Sequence, residues 1–157
     1  MSGDSVLSLH AGCVVLGETG ILIRGESGAG KSTFARRIVS DHAAGGGFAR
    51  IVSDDRVVLT RRHGRLIARP NPTLAGLTEI RGLGILPVDH EPAVVLHLVV
   101  DLVAAPGERM PSPETRETAL LGLPLPRIAA PVTDAADLLK ATLSWQARHG
   151  DDRSLRI

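Results

Sequence analysis

At 157 residues the chain suits one domain around a single core, and 43% hydrophobic with 22% charged residues argues against disorder. Lys plus Arg (18) nearly balances Asp plus Glu (17), and the net charge of +1 gives no global field favouring nucleic acid or a membrane. Aromatic residues are only 2%, which argues against base-stacking recognition of single strands, and no apolar run is long enough to span a bilayer.

Met1-Ser2-Gly3-Asp4-Ser5 lacks the basic and apolar regions of a signal peptide. The single cysteine, Cys13, lies in an apolar run, where a buried, inert thiol is expected; this fits a reducing cytoplasm. Residues 10–16 read as a buried strand. Gly17-Glu18-Thr19-Gly20 turns directly into a second, Ile21-Leu22-Ile23, so the two should be antiparallel neighbours in a mixed sheet. Next comes Gly25-Glu26-Ser27-Gly28-Ala29-Gly30-Lys31-Ser32, which matches G-x-x-x-x-G-K-[ST] at every fixed position. Glycines permit the close approaches through which successive N–H groups converge on a phosphate, Lys31 would reach the β/γ-phosphates, and the Ser32 hydroxyl would ligate Mg²⁺. Residues 33–39 read as the helix whose N-terminus faces that anion.

Gly45-Gly46-Gly47 ends the helix in a loop. Arg50-Ile51-Val52-Ser53 reads as a strand beside the P-loop strand, delivering Asp54 and Asp55 to its end. Residues 57–60 and 65–68 flank a His63-Gly64 turn as a hairpin, whose Arg61-Arg62-His63-Gly64-Arg65 tip reads as solvated. Pro70-Asn71-Pro72 breaks regular structure, and residues 77–86 look like a strand entering a constrained loop. Residues 94–100 form the clearest core strand, with His97 as a satisfied sheet histidine. Residues 104–113 make a surface loop around Glu108-Arg109, and residues 120–131 an irregular edge strand. A final helix should be capped by Thr133 or Asp134 and run to about Arg148, with Leu138, Leu139, Thr142 and Leu143 on one face; residues 151–157 would fray. The whole reads as one α/β P-loop domain over residues 1–157.

A kinase site needs a metal holder and a base as well as a phosphate cradle. Adjacent carboxylates at Asp54 and Asp55 can divide that work, one holding cation or water and the other taking a proton.

Five blocks, in order, resemble the C-terminal catalytic domain of the HPr kinase/phosphorylase family: Leu9-His10-Ala11-Gly12, the P-loop, Ser53-Asp54-Asp55-Arg56-Val57, Glu79-Ile80-Arg81-Gly82-Leu83-Gly84-Ile85, and Leu123-Pro124-Leu125-Pro126-Arg127-Ile128. They span about residues 8–132, and the Glu-Ile-Arg-Gly-Leu-Gly block is the family-specific one. The resemblance implies ATP-dependent phosphorylation of a serine on the phosphocarrier protein HPr, and its reversal with inorganic phosphate. Asp55 would be the base that takes the serine proton and the acid that returns it. Ser32 and Glu79 would bind Mg²⁺, Lys31 would contact the transferring phosphate, His10 would stand beside the centre, and Arg109, or with poorer flanking similarity Arg116, would match a catalytic loop arginine. Asp54 and Arg81 would be accessory. The resemblance also implies a cytoplasmic homo-oligomer, a hexamer in the family.

Three departures accompany it. The family's N-terminal domain has no counterpart in the seven or so residues before the match, so the chain resembles the shortened forms. Thr33 follows the P-loop serine where the family commonly has Glu. Thr133-Asp134-Ala135-Ala136 stands where the family carries Arg and Gly linked to phosphorolysis, and an acid there should weaken anion binding and the reverse reaction. A small-molecule kinase on the same scaffold, or a non-catalytic nucleotide sensor, are the alternative classes.

Overall fold

The computed structural model describes residues 5–150; residues 1–4 and the tail expected to fray lie outside that range. In chain order the elements are β1 (Val6–His10), β2 (Gly12–Leu16), β3 (Thr19–Gly25), α1 (Lys31–Ala44), β4 (Ala49–Ser53), β5 (Arg56–Arg62), β6 (Arg65–Pro70), β7 (Leu77–Ile80), β8 (Gly84–Pro87), β9 (Val94–Leu102), a 3₁₀ turn (Pro113–Arg116), β10 (Glu117–Leu120), β11 (Leu123–Ala130) and α2 (Val132–His149). The run expected as one strand over residues 10–16 is two, divided at Ala11 and serving different neighbours: β1 pairs with β5, and β2 with β3 and β4.

The sheet is mixed, with strand order β1-β5-β6-β9-β3-β2-β4. The β2–β3 pair is antiparallel, as its short turn requires. The strand beside β3 on the other side is β9, which is parallel to it, and not β4. β4 pairs with β2, because β2 accepts antiparallel partners on both edges and so lies between β3 and β4. His63 and Gly64 both adopt positive φ in a two-residue connection, the geometry that matches strand twist in a tight hairpin.

β9 carries the sheet from one layer into the next. Its first residues pair with β6, and the remainder with β3. Val57, Leu59, Leu66 and Ala68 of the β5–β6 hairpin therefore pack with Cys13, Val15, Leu22 and Val99 from one face of the β2–β3–β9 layer. Ile21, Ile23, Leu98 and Val100 on its other face pack with Phe34, Ala35 and Ile38 of α1 and with Ala135 and Leu139 of α2. Cys13 is fully buried, and burial pushes its thiol pKa up.

Residues 77–86 are a separate hairpin of β7 and β8, turning at Arg81-Gly82-Leu83. Each residue of β11 has a single partner, in β10 for its first half and β9 for its second, which keeps it an edge strand and accommodates Pro124 and Pro126. The last helix starts at Val132 with Pro131 as its N-cap, and neither Thr133 nor Asp134 makes a capping bond. Its inner face is Ala135, Leu139 and Leu143, while Leu138 is 46% exposed.

Candidate functional site

Strand directions gather the sequence-predicted residues at one edge of the sheet. β3 ends at Gly25 beside Leu102, the end of β9; β2, running the other way, begins at Gly12 opposite Ile23; and β4 ends at Ser53 opposite Cys13. The P-loop, His10, Asp54-Asp55 and the loop that follows β9 thus leave the sheet at the same edge. In an open α/β sheet that edge, past the carboxyl ends of the parallel strands, is where ligands bind.

The loop is built as an anion cradle. Gly28 and Gly30 have φ of 84° and 93°, and at Gly25 a Cβ would lie 3.1 Å from both the Ala29 Cβ and the Leu102 carbonyl oxygen. Gly30 is the N-cap of α1 without a side-chain cap, and no acid occupies the first turn, so the helix presents an uncapped positive end. Lys31 is buried, and its Nζ donates to the Gly25 and Glu26 carbonyls at 2.8 and 3.0 Å, which folds the charge into the loop. These features fit a phosphate group. Among the described residues no group of three or more His, Cys, Asp or Glu side chains could cage a metal. A Mg²⁺ here would be held by the Ser32 hydroxyl and one carboxylate, with phosphate oxygens and water, as is usual for this cation.

A run of hydrogen bonds ties Asp54 and Glu79 to α1. Arg36 donates to the Glu79 carbonyl at 3.3 Å, and the Glu79 N–H donates to Asp54 Oδ2 at 3.3 Å. Asp54 Oδ2 also accepts from the buried Thr78 hydroxyl at 2.7 Å. Asp54 therefore anchors the β7–β8 hairpin, leaving its neighbour for other work. Asp55 Oδ1 bonds His10 Nε2 at 2.6 Å, and both side chains are about half exposed, at 57% and 45%. The Ser53 hydroxyl donates to the Arg56 carbonyl and pinches the turn that presents the two aspartates.

A second cluster escaped the sequence reading. Asp101, at the end of β9, accepts from Arg24 Nε and Nη2 at 2.6 and 2.7 Å and from Arg127 Nε at 2.5 Å. Burial alone would raise the Asp101 pKa, but hydrogen bonds from the two arginines and then their charges outweigh it, and the carboxyl is held below the usual aspartate range. Arg127 also donates to the Thr115 carbonyl, and Arg24 to the Thr118 hydroxyl. The segment that closes the Arg109 loop is thus fastened to the residue preceding the P-loop. The signal was present in Leu98-Val99-Val100-Asp101, a charge ending an apolar strand, although its partners are distant in sequence.

Three other residues stand apart from these contacts. Arg109 lies exposed in the loop after β9 and makes no hydrogen bond or ion pair among the described residues. Arg81 is exposed at the β7–β8 turn. His97 is away from the site and accepts from the Gly20 N–H at 3.3 Å, a satisfied sheet histidine as expected.

Comparison with known proteins agrees with this geometry. The family model described as HPr Serine kinase C-terminal domain matches residues 4–142. Among curated relatives, the HPr kinase/phosphorylase of Latilactobacillus sakei is 31% identical over 137 residues, covering 80% of this chain and 42% of that protein. That of Mycoplasma mycoides is 35% identical over 79 residues, covering 50% of this chain and 23% of that protein. The chain thus spans less than half the length of either relative. Among solved structures, the Hpr(Ser) kinase/phosphatase from Coxiella burnetii superposes with a TM-score of 0.70 at 28% identity, covering 90% of this chain and 96% of that one. The fold is the mixed α/β P-loop fold of that structure, and the chain belongs to the HPr serine kinase C-terminal domain family.

Proposed function

We propose that the chain transfers a phosphoryl group from ATP to a serine of HPr, with residues 1–157 acting as one catalytic domain. The observation that carries this reading is the Asp55–His10 pair at the sheet edge that holds the P-loop. A sensor that only binds nucleotide needs a cradle but no base.

ATP with Mg²⁺ supplies the transferable phosphoryl group when bound. The P-loop amides and the end of α1 hold its phosphates, Lys31 turns from the loop carbonyls to the transferring group, and Ser32 with Glu79 holds the cation. Asp55 takes the proton of the serine hydroxyl on Oδ2, while the bond from His10 to Oδ1 fixes the carboxylate. Arg109 swings in to balance charge on the transferred group. Asp54 and Arg81 act through placement, Asp54 by fastening the strand that carries Glu79.

The reverse reaction, with inorganic phosphate or pyrophosphate, is the weaker one in this chain. α2 begins against the P-loop, with Val132 Cγ2 3.5 Å from where a Gly30 Cβ would stand, and its first turn carries Asp134. We place the protein in the cytoplasm as a homo-oligomer, six-membered by family resemblance. No helix among the described residues is long and apolar enough to cross a membrane.

The test is phosphotransfer from labelled ATP to purified HPr by the wild type and Asp55→Asn. Loss of transfer with nucleotide binding retained is expected; retained turnover would remove Asp55 as the base.

A further inference from the structure

β1, β5 and β6 bury one face and expose the other. Val57, Leu59, Leu66 and Ala68 point into the core, so by strand alternation the outer face carries His10 from β1, Arg56 and Arg62 from β5, and Arg65 and Arg69 from β6. The strand positions of this face hold four arginines and no carboxylate, in a chain whose net charge is only +1. Arg62 and Arg65 are direct cross-strand partners, which sets two guanidinium groups side by side at the hairpin end. Arg56, Arg65 and Arg69 are exposed and make no side-chain hydrogen bond or ion pair among the described residues. Among the described residues, no side-chain contact accounts for the exposed charge of Arg56, Arg65 and Arg69.

Its position supplies a use. His10 is the cross-strand partner of Arg56 and bonds Asp55, so one end of the face is the rim of the candidate site. The other end, at Arg62 and Arg65, lies about 20 Å along β5 at the rise of an antiparallel strand. A body resting on the face would lie across the mouth of the site. Guanidinium forks match carboxylates in pairs, and a rim of one sign steers an oppositely charged partner into register. The positions named on this face include no aromatic residue on which bases could stack, which favours a protein over a nucleic acid.

We propose that this arginine face docks an acidic surface of the acceptor protein and so aims its serine at Asp55, an inference that rests on the serine-kinase reading above. The acceptor then carries carboxylates within about 20 Å of that serine, matching the length of the face.

The experiment measures binding of purified HPr separately from phosphotransfer, in the wild type, in Arg65→Glu/Arg69→Glu, in Arg65→Gln/Arg69→Gln, and in Arg148→Glu on α2 as a charge control. All are exposed side chains. The Glu pair should weaken HPr binding about tenfold or more and flatten its salt dependence, with the Gln pair intermediate and the control unchanged. The KM for HPr should follow, while kcat changes less than about threefold. Binding insensitive to both face variants, no HPr binding by the wild type, or preferential capture of duplex RNA by the face would overturn the proposal. Face-dependent binding without transfer would support the docking face and remove the kinase reading; transfer that ignores Arg65 and Arg69 would do the reverse.

Discussion

Asp54 and Asp55 are chemically identical neighbours with different partners. Asp54 is occupied by Thr78 and the Glu79 N–H, whereas among the described residues Asp55 bonds only His10, through Oδ1. Replacing Asp55 with Asn should therefore lower the transfer rate by about 10²–10⁴, the usual weight of a general base, with nucleotide affinity nearly unchanged in a binding titration. Asp54→Asn should act through the position of the β7–β8 hairpin. Asp101 makes a stability prediction: Asp101→Asn leaves two arginines facing a neutral amide and should cost about 2–3 kcal/mol in denaturant unfolding at pH 7. Because the folded Asp101 pKa is lowered, its contribution is fully present above the unfolded aspartate value of about 3.9 and is lost as pH falls through the folded value. The gap between wild type and variant should thus be constant near neutrality and close only in acid.

At the scale of elements, local pattern and remote pairing separate. The β3, P-loop and α1 unit was legible because each signal lies within a few residues: an apolar run, glycines where φ is positive, then a helix. The neighbour of β3 was not, because proximity in sequence favoured β4, while pairing with β9 joins residues far along the chain. α2 shows a smaller failure of the same kind. Periodicity put Leu138 on the inner face with Leu139 and Leu143, whereas packing against the sheet centres that face on Ala135 and Leu139 and leaves Leu138 exposed. Leu139→Ala should cost about 3 kcal/mol and Leu138→Ala under about 1 kcal/mol, read by thermal or denaturant unfolding. Gly30→Ala meets a left-handed backbone, costing about 1–2 kcal/mol, and should weaken nucleotide binding as the loop shifts. Asp134→Asn removes the acid from the α2 end that abuts the P-loop, and phosphorolysis of phosphorylated HPr should rise about two- to fivefold.

For the whole molecule, the near-neutral charge conceals an arginine face on one outer layer. Composition showed no global field favouring nucleic acid or a membrane but could not locate charge, since location depends on which strand faces are buried. The family was legible from five short blocks, and strand direction explains why three of them belong together: residues 9–12, the P-loop and residues 53–57 meet at one sheet edge. Arg24, Asp101 and Arg127 remained hidden because their bonds span β3, β9 and β11. The direct measurement is mass-spectrometric mapping of HPr after incubation with this chain, ATP and Mg²⁺. One phosphate on a single serine, absent with Asp55→Asn, is the expected result; no phosphate on HPr, or phosphate on histidine alone, would contradict the serine-kinase reading.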